Sequence, residues 1–310
     1  MLFLPQTFQL LIAPPAWGKT HLFQTWVKEN ASRFLLICPL RALASELKLS
    51  CPQAWVVLPE EMQNVDWEGL SKQRPDLVVV WDEVHLVSEW GLSFRHAFME
   101  AWYGFCISGL AGVGLTATFT PSIKSFLTET LHENHQHLLI GDAGNFSFKH
   151  RPARWLWAPR SWLEELLEVP REGRTLVFCQ HRHEVDRWCV RLTQQNIRTW
   201  GCKGGETRAF TERLAQETAP DVIVATSCLS HGVNLPQLRR VVLLDKTAPD
   251  WMIHQMRTRA GRRGEPFEVW TIWGVGQLPG WQRPVALLRA LGLVMMNRTR
   301  TQLSAWWYGP

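Results

Sequence analysis

The sequence has 310 residues, 46% hydrophobic and 20% charged, a balance that permits two packed domains and excludes a disordered chain. Its formal net charge of +5 suits an acidic partner such as nucleic acid without singling one out. The seven cysteines form no CxxC pair, which argues against a zinc ribbon or an iron–sulfur cluster.

Several of those cysteines lie in apolar runs and read as small buried hydrophobes, a usage that suits a reducing cytoplasm. The N-terminal stretch is apolar but broken by Pro5, Pro14 and Pro15, so it is not read as a signal peptide. No apolar run is long enough to span a bilayer, and no membrane is expected. The 18 tryptophans are read mainly as core and packing residues, with a minority left for a ligand or partner.

The first short apolar run, Leu10–Ala13, leads into "APPAWGKT" and then a helix from Lys19. Strand, loop and helix N-terminus is the setting in which backbone N–H groups cradle phosphates. Lys19 is placed for the β- and γ-phosphates of ATP and the Thr20 hydroxyl for Mg²⁺. Ala13 stands where the first glycine is usual, Gly18 is kept, and Pro15 and Ala16 supply fewer or stiffer donors. One lost buried donor weakens phosphate binding by about 1–3 kcal/mol, so a raised KM for ATP is expected.

A second run, Phe34–Cys38, precedes "PLRALASEL", and "LPEEM" follows at Leu58 to Met62. The third run, Leu77–Trp81, ends in "DEVH" and delivers Asp82 and Glu83 to the C-terminal end of a strand, where open α/β sheets bind ligands. Asp82 can hold Mg²⁺ and Glu83 can orient and deprotonate an attacking water. His85 reads either as a coupling residue or as a capping or core imidazole. Next come "SEWGLSFR" and, on the run Gly112–Thr116, "LTATFT".

"FKHRPARWLWAPRSW" mixes basic, proline and aromatic residues and reads as a linker, which puts a domain boundary near residue 150. Beyond it the same grammar returns in Thr175–Cys179, Ile197–Trp200, Val222–Ala225 and Val241–Asp245. Here lie "VIVATSCLSHGVNLP" and "HQMRTRAGRRG", and from Trp281 "RPVALLRALGLVMM" reads as one amphipathic helix with a Trp-rich tail.

Together, "APPAWGKT" and "DEVH" resemble the superfamily 2 helicases, and the later segments fall in that family's order over most of residues 10–265. "SEWGLSFR" is similar to the aromatic loop of RecQ helicases, and "VIVATSCLSHGVNLP" is nearest the Ski-like branch. The resemblance implies an α/β protein of two tandem RecA-like domains with parallel sheets, residues 1–150 and 151–280, plus a short C-terminal helix and tail, 281–310. It implies an ATP- and Mg²⁺-dependent helicase or translocase moving 3′-to-5′ on single-stranded nucleic acid, DNA favoured over RNA.

Residue by residue, the resemblance implies that Pro39, Arg41 and Thr226 touch the nucleic-acid backbone. Trp90 and Phe94 would stack on bases and Arg95 pair with phosphate, packing under the catalytic helix being the alternative. Thr116 and Thr118 would couple hydrolysis to strand binding. Gly232 and Asn234 would lie near the nucleotide sugar. Gln255, Arg259 and Arg262 match the sixth motif, with Thr258 in place of its glycine, and the two arginines take the arginine-finger role.

Gln6 and Gln9 lie too close to the loop to match an adenine-reading glutamine motif, which predicts relaxed base preference. No zinc module, winged helix or ratchet domain is recognised, so a minimal motor is expected. The C-terminal helix either docks on that motor or binds a protein partner. The competing reading is a degenerate helicase fold that binds nucleic acid or a partner with weak or no ATPase. A small-molecule P-loop kinase leaves the second half unexplained.

Overall fold

The computed structural model describes residues 6–13, 17–131, 136–140, 153–168, 173–218, 220–230, 233, 235, 237–245, 247–262, 265–273, 278 and 280–308. The chain divides into two compact units, Met1–Phe148 and Lys149–Pro310. Each is a parallel sheet flanked by helices, the α/β architecture of tandem RecA-like domains.

The first unit runs β1 (Thr7–Ile12), α1 (Lys19–Asn30), β2 (Phe34–Ile37), α2 (Arg41–Ser50), β3 (Trp55–Val57), α3 (Trp67–Gln73) and β4 (Val78–Trp81). It continues through α4 (His85–Gly91), α5 (Ala97–Ser108), β5 (Ala111–Thr116), α6 (Pro121–Thr130) and β6 (Gln136–Ile140). The strand order is β3-β2-β4-β5-β1-β6, every pairing parallel. β1, β2, β4 and β5 are buried along their whole length, which is why they read as continuous rather than alternating apolar runs.

β5 carries two glycines for a packing reason. A Cβ at Gly112 would meet the Phe105 ring at 2.4 Å and Phe8 at 2.7 Å, and one at Gly114 would meet Phe8 at 2.8 Å. The space they leave holds an aromatic cluster: Trp81 lies edge-on to Trp102 at 5.0 Å between centroids, and Phe8 edge-on to Trp102 at 5.5 Å. Such pairs add about 0.5–1.5 kcal/mol each beyond burial.

The second unit runs β7 (Arg154–Ala158), α7 (Leu163–Glu168), β8 (Arg174–Phe178), α8 (Arg182–Gln194), β9 (Thr199–Cys202) and α9 (Thr207–Gln216). There follow β10 (Val222–Ala225), β11 (Leu238–Leu243), α10 (Asp250–Arg257), β12 (Glu268–Ile272) and α11 (Arg283–Tyr308). Its strand order is β7-β12-β11-β8-β10-β9, again all parallel. Arg240 is buried on β11 because Glu268 pairs with it at 3.1 Å and the Trp270 ring lies 3.8 Å from its guanidinium carbon.

The supposed linker is a correction. Residues 154–158 within it form β7, the edge strand beside β12. In "RWLWA" only Leu156 and Ala158 are buried, an alternation that the flanking prolines and arginines hide. The C-terminal helix extends through Tyr308 and packs against β7 and α7. Ala286, Ala290 and Val294, spaced by four, form its buried stripe, and Arg298 grips Glu165 at 2.7 and 2.8 Å. Among the described residues no helix is long and apolar enough to cross a membrane.

Candidate nucleotide site and nucleic-acid face

The order of the first sheet sets β1, β4 and β5 close together, so the residues following their C-terminal ends share one edge. At β1, the amide of Ala13 donates to the carbonyl of Thr116 at 2.9 Å, joining the segment that leaves β1 to β5. Gly18 caps α1 in the left-handed region, φ 104°, a conformation that glycine adopts at no steric cost. A Cβ there would touch nothing within 4 Å, so the requirement is conformational. Lys19 donates to the carbonyl of Ala13 at 2.9 Å, while Thr20 and Trp17 are exposed. Pro14, Pro15 and Ala16 lie outside the described residues.

At β4, Asp82 is buried and Glu83 follows in the left-handed region at φ 47°. A non-glycine residue there costs on the order of 1–3 kcal/mol and is found where the fold over-determines it. Here the Glu83 amide donates to Asp82 Oδ1 at 3.1 Å, and the next amide, of Val84, donates to the carbonyl of Leu115 at 3.0 Å. Burial, and then the Glu83 carboxylate, push the Asp82 carboxyl up to about 7, against the pull of the Lys19 ammonium.

His85, wholly buried at the start of α4, is held down to about 3 by burial and by Lys19 and is neutral at physiological pH. Its 3.5 Å approach to Glu83 Oε2 is therefore a carboxylate–imidazole contact and not an ion pair. The Thr116 hydroxyl donates to the carbonyl of Thr118 at 2.8 Å and accepts from the Thr118 amide at 2.9 Å. With its one proton used, that hydroxyl is an acceptor toward His85 Nδ1 at 3.0 Å, which assigns the proton to Nδ1. Glu83, His85, Thr116 and Thr118 thus form one continuous polar chain from β4 to the segment after β5.

Arg95 is already committed. It forks onto Glu60 at 2.7 and 2.9 Å and donates to the carbonyl of Pro39, and its guanidinium lies 5.8 Å from the Trp90 ring and 5.2 Å from that of Phe98. The pairing lowers the Glu60 carboxyl from its ordinary value. One side chain so ties together "PLRALASEL", "LPEEM" and the aromatic loop. Phe94 is 69% exposed beside a half-buried Trp90, 5.7 Å away, which leaves an aromatic face open. Arg41 is exposed at the start of α2 and Pro39 is buried.

In the second unit Thr226 follows β10, buried, its amide donating to the carbonyl of Cys202 at 3.2 Å. Arg259 and Gln255 are buried after and within α10, and Arg259 donates to the carbonyl of Val233, joining the sixth-motif segment to the fifth. Thr258, in the place of glycine, donates to the carbonyl of Gln255 at 3.0 Å. Gly261, φ 71°, packs so tightly that a Cβ would meet Phe267 at 2.4 Å, and Arg262 follows it, half-buried. Gly232 and Asn234 lie outside the described residues.

The first edge thus gathers Ala13, Lys19, Asp82, Glu83, His85, Thr116 and Thr118, while Thr226, Gln255, Arg259 and Arg262 belong to the second unit. One participant escaped the sequence reading. Glu60 was legible only as part of "LPEEM", with nothing to name Arg95 as its partner.

Residues 158–264 match the helicase conserved C-terminal domain family. The ATP-dependent DNA helicase RecQ of Haemophilus influenzae is 24% identical over 227 residues, covering 69% of this chain and 35% of the relative. The chain spans about a third of the length of the curated RecQ relatives it matches. In fold it is similar to Saccharomyces cerevisiae Dbp5 bound to RNA and ADP BeF3, with TM-score 0.65, 14% identity, and coverage of 92% of this chain and 83% of that one. It is also similar to the Mycobacterium smegmatis helicase Lhr bound to ssDNA and AMP-PNP, with TM-score 0.63, 16% identity, and coverage of 86% and 44%.

Proposed function

We propose that this chain, a superfamily 2 helicase core with RecQ-like similarity, is a nucleic-acid-dependent ATPase that translocates 3′-to-5′ along a single strand, DNA favoured over RNA. The observation that carries the reading is the convergence of Lys19 and Asp82 with the Glu83–His85–Thr116–Thr118 chain on one sheet edge.

The residues fit Mg²⁺-bound ATP. A helix N-terminus capped by a left-handed glycine presents amide donors, Lys19 supplies the cation for the β- and γ-phosphates, and Thr20 with Asp82 offers one hydroxyl and one carboxylate. Mg²⁺ sites of this class are sparse in protein ligands because phosphates and water fill the remainder. Among the described residues no cluster of three His, Cys, Asp or Glu could hold a metal unaided, in keeping with that class. Asp82, raised by burial, is the kind of acid that a bound divalent cation holds ionised.

When bound, Mg²⁺–ATP supplies the polarised phosphoryl group. Glu83 then orients and deprotonates the attacking water, and its contact with neutral His85 passes any shift in its position to Thr116 and Thr118. Arg259 and Arg262 are the arginine fingers in this reading. Trp90 and Phe94 stack on bases, Thr226, Pro39 and Arg41 engage the strand backbone, and Gly232 and Asn234 serve the nucleotide sugar.

The test is ATP hydrolysis by the purified chain with and without single-stranded DNA and RNA, beside Lys19→Ala and Glu83→Gln. Turnover stimulated more by DNA, and reduced about 100-fold or more in both variants, is expected. Nucleic-acid binding without turnover in the unaltered chain would replace the motor with a binding module.

A further inference from the structure

β9 ends at Cys202, and β10 lies beside it in register, Ala225 opposite Cys202. The chain leaving β10 is tied to the same point by the Thr226 amide on the Cys202 carbonyl at 3.2 Å. The turn Ser227–Leu229 then brings Cys228 back over β9, so that its Sγ lies 3.7 Å from that of Cys202. As a thiol, Cys228 donates to the Cys202 carbonyl at 3.5 Å. The two sulfurs are 26 residues apart in sequence and in contact in space, with Thr226 between them along the chain.

We propose that Cys202 and Cys228 are a modification site, a dithiol that a peroxide converts to an intramolecular disulfide, and that closing it fixes the Thr226 turn in a geometry that weakens single-strand binding. The second half rests on the reading of Thr226 as a strand contact.

The two cysteines differ in a way that assigns the steps. Cys228 is partly exposed and Cys202 fully buried. The side-chain hydrogen bond with Cys202 lowers the Cys228 thiol, against burial and the Glu206 carboxylate, while the Cys202 thiol is pushed up by that contact and by burial. The Cys228 thiolate attacks one peroxide oxygen and breaks the O–O bond, giving the sulfenic acid and hydroxide, which takes up a proton as water. The Cys202 sulfur, releasing its proton, then attacks the Cys228 sulfur and expels the second oxygen as water. In sum two thiols and one hydrogen peroxide give one disulfide and two waters, the sulfurs losing two electrons and the peroxide gaining them.

An S–S bond of about 2.05 Å needs the sulfurs to close by roughly 1.7 Å. Cys202 is anchored in the sheet, so the movement falls on the 227–229 turn and on Thr226, joined to both. The other described cysteines are worse placed, Cys51 being buried. Cys38, Cys106 and Cys179 are buried with their thiols pushed up, and burial raises the half-buried Cys189 to about 11.

The test treats the full chain with hydrogen peroxide in small molar excess, then alkylates in denaturant and maps peptides by mass spectrometry. The expected result is a Cys202–Cys228 cross-linked peptide at peroxide doses that leave Cys189 alkylatable, restored by dithiothreitol and absent in Cys228→Ser. In Cys202→Ser the sulfenic acid should persist on Cys228 and be trapped by dimedone. Oxidation of Cys189 first, or accumulation of sulfinic acid on Cys228 without a cross-link, would overturn the site.

Fluorescence anisotropy with a thymidine oligonucleotide reads the second half. A rise in Kd of about fivefold on oxidation, reversed by dithiothreitol and missing in Cys228→Ser, is expected. An unchanged Kd in the cross-linked protein overturns the coupling. Failure of both forms to bind the oligonucleotide overturns the strand-binding reading and the coupling with it, and the cross-link stands or falls on the peptide map.

Discussion

The C-terminal edges of the two sheets follow one plan but treat charge in opposite ways. On the first, Asp82 is buried beside Glu83, and both burial and its neighbour disfavour its charge. On the second, the buried cation of Arg259 sits on the carbonyl of Val233. In the proposed function, an edge that crowds acids around one lysine is completed by a cation and a phosphate. An edge whose buried arginine already rests on a carbonyl is held together by a group it would use. The first edge therefore trades stability for chemistry, whereas in the second the two are bound together.

Arg259 and Arg262 give the largest test of that contrast. Arg259→Ala removes a buried guanidinium from the Val233 carbonyl and is expected to cost about 1.5–3 kcal/mol, the range for hydrogen bonds to charged groups. Arg262 is half-buried, and Arg262→Ala is expected to cost about 1 kcal/mol or less. Both variants should lose stimulated turnover. Urea unfolding beside the ATPase assay separates them, and an equal loss of stability in both would mean that the Val233 contact does not hold the second edge together.

Most of the scaffold was legible in the sequence because parallel strands buried on both faces appear as apolar runs. The run Val222–Ala225 coincides with β10, and Phe34–Cys38 overshoots β2 by one residue. Strands escaped where burial was one-sided or short, or where polar residues interrupt the run, as Glu268 and Thr271 do in the largely buried β12. β3 is three residues with Trp55 exposed, and β7 alternates inside a basic, proline-flanked stretch. At the site, residue types and spacing named Lys19, Asp82, Glu83 and His85, since each follows or opens an element visible locally. Pairings between distant segments were not legible. That Arg95 meets Glu60, or that Cys202 meets Cys228, depends on strand order and on turns whose direction no periodicity records.

Thr116→Val sharpens the account of the first edge with a smaller change. Valine keeps the volume but removes the hydroxyl between His85 Nδ1, the Thr118 amide and the Thr118 carbonyl. A loss of about 1–2 kcal/mol is expected from leaving these buried groups without that partner. Thr116→Ser keeps the hydroxyl and should recover most of it. If Thr116 carries the signal from Glu83, the ratio of strand-stimulated to basal turnover falls in the valine variant and recovers in the serine one. A stability loss with an unchanged ratio would make the chain a packing device only.

Arg95 is the exception on the first edge, a cation already satisfied in the manner of the second, and Glu60→Gln tests what that is for. The pair is partly exposed, so its loss is expected to cost only about 0.2–1 kcal/mol. The sign with pH follows from the lowered Glu60 carboxyl: its contribution is full above the ordinary value of 4.5 and is lost as pH falls through the lower folded value. The difference in urea midpoint between the unaltered chain and Glu60→Gln should therefore be present at pH 7 and shrink toward pH 3. Releasing the guanidinium also sets two roles against each other. If Arg95 is a phosphate ligand restrained by Glu60, the variant binds a single strand more tightly, with a steeper dependence on salt. If Arg95 instead acts as a strut that holds the Pro39 carbonyl and the aromatic loop in place, the same substitution weakens binding, and the salt dependence stays where it was.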